Sequence, residues 1–501
     1  MLTTIAVAAR DRRRLAEIST VATRFGLDLF LARLGLGSGG EGAGEPADLP
    51  ARTRAALEEL GPTFVKFGQI LATRRDLLPD AWIEELEHLH SRAPTRPFEE
   101  LRGEVEAALG EPPETAFASF DPAPLAAASI AQVHRATLQD GRAVVLKIRR
   151  PGIRAQMEAD LRLIRHFAGL VESNSAVARR FRPQALVQQL AQDLLDELDF
   201  TAEARNADRL RADLAGRDDV VVPEVHWQWT SEAVLVMDYV AGVSPRSGEA
   251  LRSAGIDPDA IAALGADLVL DMVLVTGRFH GDPHPGNLLC LPGDRLALLD
   301  LGSVGTVSAR RQQEFLTFVL SLRSSDAVAL ADTLAIWNED SGAPRAAILA
   351  ASERLMARHG GGPLVMSALV KDLFPLLREE GLVLPPDLLL VFKAMITMDG
   401  VLNGIAPGFD LSPAIERARA KLLAHRISPQ RGRDRAEALM LELDRVATEA
   451  PHLIRLLSRR LEAGQEPTGA LIAQAAGKGA MMIAGAIVLA ALLIAVALVF
   501  G

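Results

Sequence analysis

Phe279-His280-Gly281-Asp282-Pro283-His284-Pro285-Gly286-Asn287, followed after an apolar run by Leu299-Asp300-Leu301-Gly302, decides how the rest of the chain is read. Four residues separate Asp282 from Asn287, and Asp300 comes thirteen residues after Asn287. Phosphoryl transfer needs this set of side chains. One carboxylate orients or deprotonates the attacking hydroxyl or water, while a carboxamide and a second carboxylate hold Mg²⁺ on the phosphates. Hard oxygen ligands suit that ion. An Asp–Asn pair alone in a Gly/Pro-rich loop usually makes only a turn. Two elements at the right spacing, with the strand-like run Leu296 to Leu299 leading into Asp300, outweigh that reading. Asp282 is therefore the expected catalytic base, and Asn287 and Asp300 the expected metal ligands.

A nucleotide site must also hold phosphates and adenine. Upstream lies Ala126-Ala127-Ala128-Ser129-Ile130-Ala131-Gln132-Val133. On the kinase template Gly-x-Gly-x-x-Gly-x-Val, alanine stands at all three glycine positions: Ala126, Ala128 and Ala131. Val133 keeps the valine, and Lys147 follows 14 residues later in Val145-Leu146-Lys147. The corresponding kinase lysine contacts the α- and β-phosphates. An alanine run by itself usually means helix. It becomes informative because Val133, Lys147, Asp282, Asn287 and Asp300 follow in order, which makes Ala126, Ala127, Ala128 and Ser129 a candidate phosphate-covering loop. The lysine needs a carboxylate from the following helix, and Glu197, Asp199 and Glu203 are candidates. Any of them could instead belong to a solvated acidic face. Val236-Met237-Asp238-Tyr239-Val240 has the character of a hinge, with Asp238, Tyr239 and Val240 receiving adenine through backbone groups.

Together these residues resemble the UbiB family of atypical protein-kinase-like proteins. Lys66-Phe67-Gly68-Gln69 is like the family's Lys-x-Gly-Gln motif, Ala126 to Ser129 like its alanine-rich loop, and Glu197-Leu198-Asp199 like its Glu-x-Asp motif. The His-Gly-Asp-Pro-His-Pro-Gly-Asn loop also matches. The likeness covers roughly residues 50–425 and the C-terminal apolar segment. It implies an α+β, bilobal protein-kinase-like fold that binds ATP or ADP with Mg²⁺. It implies ATPase activity in support of ubiquinone or other isoprenoid-lipid metabolism at a membrane, with a lipid or isoprenoid-quinone precursor and quinone-biosynthesis proteins as partners. In family members the Lys-x-Gly-Gln extension folds over the site. Carried over, Lys66 and Gln69 reach the pocket with Glu197 and Asp199 as partners, leaving Glu203 for Lys147. Two departures stand out. Alanine occupies position 131, where many members keep glycine, and one C-terminal membrane segment is counted where many bacterial members have two.

Working outward, length and composition agree with a large globular chain. At 501 residues, 49% hydrophobic and 24% charged, the chain holds more than one ordinary packed unit. A net charge of −10 gives no basic excess that would point to nucleic acid. The single cysteine, Cys290, lies in the apolar run Leu288 to Leu291 and reads as a small buried hydrophobe. Met1 to Ala9 is mildly apolar, but the arginines follow it, the reverse of a secretory signal. After Lys478, 23 uncharged residues run from Gly479 to Gly501, enough for one spanning helix. Arg455, Arg459, Arg460 and Lys478 precede it, so the bulk of the chain is expected to be cytoplasmic, tethered to a bacterial inner membrane.

The expected organisation is an N-terminal helix and Gly/Pro-rich linker (1–50), a helical extension (51–110) and a kinase-like N-lobe (111–242). A helical C-lobe with the catalytic loop (243–426), a charged helical connector (427–478) and a transmembrane tail (479–501) follow. Val133 to Leu138, Ala143 to Ile148, Val220 to Pro223 and Ala233 to Met237 read as strands. Arg52 to Ala72, Asp76 to His90, Leu186 to Leu214 and Ile261 to Val275 read as helices, with several amphipathic helices over residues 307–426. Aminoglycoside and choline kinases also use His-Gly-Asp followed by Asn, so a small-molecule phosphotransferase is a competing reading. A non-catalytic lipid-binding scaffold is another, though it has no need of Lys147, Asp282, Asn287 and Asp300 together.

Overall fold

Alternation along Ala143–Arg149 puts Val144, Leu146 and Ile148 on one face and Val145, Lys147 and Arg149 on the other. The first three are fully buried. The computed structural model describes residues 11–26, 48–72, 78–89, 95–174, 183–338, 344–362, 364–382 and 384–427. In chain order its elements begin with α1 (Arg12–Arg24), α2 (Leu49–Leu60), α3 (Pro62–Ala72), α4 (Asp80–Glu87), α5 (Phe98–Leu109) and α6 (Pro113–Ala116). The N-lobe continues with β1 (Ser119–Ala127), β2 (Ala131–Thr137), β3 (Ala143–Arg149), α7 (Ile153–Asn174), α8 (Pro183–Asp196), α9 (Phe200–Asp213), β4 (Val220–Val221) and β5 (Val234–Asp238). The C-lobe runs through α10 (Gly248–Ser253), α11 (Pro258–Asp271), β6 (Arg278–His280), β7 (Leu288–Leu291), β8 (Arg295–Leu298), β9 (Val304–Thr306), α12 (Ala309–Ser324) and α13 (Ala327–Trp337). It ends with α14 (Arg345–His359), α15 (Met366–Glu379), α16 (Pro386–Ile405) and α17 (Ser412–Ile427). The elements up to Leu422 form one compact unit; the second, from Leu423, is described only to Ile427.

The fold is α+β and bilobal. The N-lobe sheet has the order β1-β2-β3-β5, antiparallel throughout. Its register sets Lys147 directly between Val133 and Leu235. The face carrying Val144, Leu146 and Ile148 is covered by Phe98, Leu101 and Val105 of α5. That helix, counted with the extension on sequence, shares its core with the sheet. The C-lobe is a helical core around two small ladders, β6-β9 and β8-β7, the latter extended by β4 from the N-lobe segment, which pairs with β8.

Several sequence expectations change at element boundaries. The helix expected over Leu186 to Leu214 is two helices, broken at Glu197-Leu198-Asp199. Asp199 takes an extended conformation and caps α9, accepting from the Thr201 amide at 2.9 Å. The helix expected from Arg52 to Ala72 divides at Gly61, whose φ of 97° no other residue adopts easily. Ala126 and Ala127 belong to β1, a strand whose two prolines hide it from a propensity reading and whose pairing with β2 carries irregularities on either side of Pro124. The long α7 lies in a stretch given no element on sequence.

Among the described residues one helix passes the length and composition test for a membrane span: α16, with mean hydropathy 1.6. Its site is the C-lobe core. Phe392 meets Phe315, Phe318 and Trp337 edge to face, with centroids 5.5, 5.7 and 6.3 Å away. A buried core helix carries the same composition as a spanning one. The connector beyond Ile427 and the apolar tail 479–501 lie outside the described residues.

Candidate active site

Each carboxylate of the site comes from a different local device. β6 and β9 pair His280 with Val304, and the Gly281 amide donates to the Ser303 carbonyl at 2.7 Å. A side chain at 281 would collide with Ser303. Glycine there lets the catalytic loop and the Asp-Leu-Gly turn approach. His280 is fully buried. Its Nδ1 accepts from the Asp282 amide at 3.1 Å, which leaves Nε2 to donate to the Leu299 carbonyl at 2.9 Å. Burial lowers its pKa, and the neutral ring serves as a rigid strut between the loop and the strand end. Asn287 Nδ2 donates to the Asp282 carbonyl at 3.1 Å, and the Leu299 amide donates to the Asn287 carbonyl at 2.8 Å. These bonds close the loop on itself, leaving the Asn287 side-chain oxygen and the Asp282 carboxylate as its functional groups. Asp300 has a left-handed φ of 49°, a costly conformation outside glycine and Asn/Asp, of the kind concentrated at functional sites. Asn206 of α9 donates to the Leu301 carbonyl at 3.1 Å and ties this turn to the N-lobe helix.

Lys147 reaches across the cleft. Its Nζ lies 2.8 and 3.0 Å from the two Glu203 oxygens and 3.3 Å from Asp300. The side chains of Lys147 and Glu203 are 14% and 5% exposed, whereas that of Asp300 is 50% exposed and opens to the cleft. One ammonium therefore serves two carboxylates. Lys147 holds Asp300 down to about 2, with Lys66 adding to the pull. Burial pushes Glu203 up to about 7, against the pull of Lys147 and with Asp300 adding like charge. Of the three acids considered for Lys147, Glu203 is the partner.

Glu197 instead pairs with Lys66 of α3 at 3.0 Å. Burial alone would lower the Lys66 pKa, but Glu197, with Asp300 and Asp282 behind it, raises it overall. The extension thus delivers a cation to the same acidic cluster. Gly68 supports this: a Cβ there would lie 2.3 Å from a Leu89 methyl and 2.9 Å from one of Leu57, so glycine lets α3 pack closely on α2 and α4. Gln69 donates to the Leu89 carbonyl at 2.9 Å, and its amide nitrogen is turned to the end of α4. Asp199 binds Thr201 through both its amide and its hydroxyl and lies 3.7 Å from Arg205.

The alanine loop is the turn of a β-hairpin. Ala126 pairs with Val133 and Ala127 with Gln132, and the Ala128 amide donates to the Ala131 carbonyl at 2.8 Å. Arg150 Nε fastens the Ala128 carbonyl at 3.1 Å, and Ser129 is buried. Positive φ among non-glycine residues occurs only at Asp294, Asp300 and Ser325 among the described residues, so the turn forms without the conformations that glycine supplies. At the hinge, the Asp238 amide donates to the Glu224 carbonyl and the Tyr239 amide to the Ala143 carbonyl, each at 2.9 Å. Neither amide is open to adenine. The Asp238 carboxylate accepts from His226 at 2.8 Å, and the Arg135 guanidinium stacks 4.2 Å from the centre of the Tyr239 ring. Val240 follows at the strand end.

The donor set fits Mg²⁺ held on phosphates. Among the described residues there is no cluster of three or more His, Cys, Asp or Glu able to cage a metal alone. Asn287 and Asp300 would supply the one or two protein oxygens that this ion takes when phosphates and water complete its shell.

One residue of the site was missed on sequence. Lys393 of α16 lies 3.5 Å from Asp282 Oδ2. Between Asp387 and Asp399 it is the sole charged side chain of that apolar helix. A lone lysine in such a helix was the available signal.

The chain matches the model of the ABC1 atypical kinase-like domain over residues 88–334 and that of the UbiB helical domain over residues 363–410. It is 35% identical to the "Probable protein kinase UbiB" of Marinobacter nauticus over 391 residues, 75% of this chain and 71% of that protein. It is 37% identical to the "Probable protein kinase UbiB" of Xanthomonas campestris pv. campestris over 424 residues, 81% of this chain and 75% of that protein. Among solved structures, a Mycobacterium tuberculosis protein in complex with erythromycin is similar over 70% of this chain and 94% of that one, at 24% identity and a TM-score of 0.46.

Proposed function

The chain belongs to the UbiB family of ABC1 atypical kinase-like proteins, and on that premise we propose that it is a membrane-tethered, Mg²⁺-dependent ATPase supporting isoprenoid-quinone biosynthesis. The observation that carries the catalytic part is the Lys147–Glu203–Asp300 triad, at 2.8 and 3.3 Å, facing a loop that holds Asp282 and Asn287. A binding module has no use for a buried lysine shared between two acids beside a third. In the reaction, Lys147 is anchored by Glu203 so that its ammonium meets the α- and β-phosphates of ATP. Asn287 and Asp300 would hold Mg²⁺, which when bound would supply charge neutralisation on the phosphates. Asp282 accepts the proton of the attacking water or hydroxyl. The hairpin turn at Ala126 to Ser129 covers the phosphates, and the hinge at Asp238 to Val240 borders the adenine.

Lys66 favours hydrolysis over transfer to a protein. Paired with Glu197 at 3.0 Å, it brings the helical extension to the site. A protein acceptor would have to approach past that extension. Quinone-precursor phenols and membrane lipid are the proposed regulators or substrates, and the tail 479–501 the proposed anchor.

The test is phosphate release by purified full-length protein with Mg²⁺ and ATP, with and without lipid vesicles and simple phenols. Release stimulated by lipid or phenol and depressed roughly 10²-fold by Asp282→Asn supports the proposal. Label appearing instead on an aminoglycoside or choline would establish small-molecule phosphotransfer. No release under any condition would leave the catalytic reading without support.

A further inference from the structure

The kinase-like match ends at residue 334, yet the lysine paired with the Asp282 carboxylate among the described residues comes from beyond it. Lys393 lies in α16, the segment matched by the helical-domain model. Its neighbours in sequence, Phe392 and Ala394, are fully buried, and so are Val391 and Met395. Burying an ammonium among such residues is costly unless it is paired. Lys393 avoids the cost by facing the cleft. Its Nζ lies 3.5 Å from Asp282 Oδ2, and the two side chains are 31% and 35% exposed. Leu390, one turn earlier on the same face, packs against the catalytic loop: a Cβ at Gly281 would meet its methyl at 3.2 Å. Helix and loop therefore touch at two successive turns.

The loop itself contains no lysine or arginine. His284, two residues after Asp282, is exposed, and its Nδ1 accepts from the Gly286 amide at 2.9 Å. The two other lysines of the site are held by other acids, Lys147 by Glu203 and Lys66 by Glu197.

We propose that Lys393 is a positioning residue for the ATPase reaction: from the helical domain it holds the Asp282 carboxylate in the orientation that accepts the nucleophile's proton. The helical domain then completes the active site, and any movement of α16 is felt at Asp282. This rests on the reading of Asp282 as the base.

The experiment is a double-mutant cycle with Asp282→Asn and Lys393→Met, measured as kcat and KM for ATP in the full-length protein, with Lys393→Arg as the conservative control. Expected is a fall in kcat of roughly 10- to 100-fold in Lys393→Met with little change in KM, partial rescue in Lys393→Arg, and no further loss when Lys393→Met is added to Asp282→Asn. Melting temperatures of all variants identify a folding defect. If Lys393→Met does not fold, the Lys393→Arg and Lys393→Gln comparison carries the same cycle. Wild-type kcat in a folded Lys393 variant, or losses that multiply in the double mutant, would overturn the inference. An Asp282→Asn variant that keeps the wild-type kcat would instead remove the reading on which it rests.

Discussion

Glu203→Gln separates a buried, proton-hungry carboxyl from an ordinary ion-pair partner. Glu203 is 5% exposed and shares Lys147 with Asp300. Burial raises it from an ordinary 4.5 to about 7. A folded protein that holds this proton more tightly than the unfolded chain gains stability that is fully present below pH ~4.5 and is lost as the pH rises through 7. Each pH unit of that interval is worth about 1.4 kcal/mol, so the loss approaches about 3 kcal/mol. Glutamine keeps the shape and cannot titrate. The stability of the wild type minus that of Glu203→Gln should therefore shrink by about 2–3 kcal/mol between pH 5 and pH 7.5. Asp300, held at about 2 chiefly by Lys147, has the opposite sign. Its contribution is present above the usual carboxylate range and fades only as the pH falls toward 2, outside this window. Urea unfolding of both proteins at four pH values between 5 and 7.5, without nucleotide, gives the difference directly. Histidines common to both proteins cancel. A difference that stays flat, or widens as pH rises, would mean that Glu203 is ionised throughout, and the account of one lysine shared by two acids would be wrong. The same variant should lower ATP turnover, because Lys147 then keeps a charged partner only in Asp300 at 3.3 Å.

Asp300→Asn and Asn287→Ala each remove an oxygen ligand or its charge and should weaken Mg²⁺-dependent nucleotide binding; a wild-type thermal shift with nucleotide and Mg²⁺ in both variants would contradict the assignment. Deleting residues 479–501 should move the protein to the soluble fraction, since α16, the one helix among the described residues that is long and apolar enough to span, is built into the C-lobe core; a truncated protein that resists carbonate extraction has another anchor. Ala126→Gly and Ala128→Gly loosen the hairpin turn over the phosphates and should alter the preference between ATP and ADP or raise autophosphorylation, at a cost of roughly 0.5–1 kcal/mol. A lower melting temperature with unchanged affinities and no new labelling would mean that alanine serves the hairpin alone.

Much of the site was legible in the linear order of residues because its chemistry is carried by short spacings within single loops. Asp282 and Asn287 share one loop whose own hydrogen bonds fix their separation, and Lys147 follows from a strand whose period of two aims alternate side chains at the cleft. The family motifs were legible for the same reason. Tertiary structure decided what depends on contacts between distant segments. Glu197, Asp199 and Glu203 are near neighbours in sequence. Only the break between α8 and α9 directs the first to Lys66, spends the second on a helix cap and turns the third to Lys147. Gln69 turns to the end of α4, a partner that its motif did not specify. Lys393 sits 111 residues beyond Asp282, in a helix whose apolar composition alone suits a membrane as well as a core. Composition measures how much surface must leave water, but not which surface receives it. That was settled by the ring of Phe315, Phe318, Trp337 and Phe374 around Phe392, which buries the helix in protein and leaves its one mid-helix cation facing the catalytic loop.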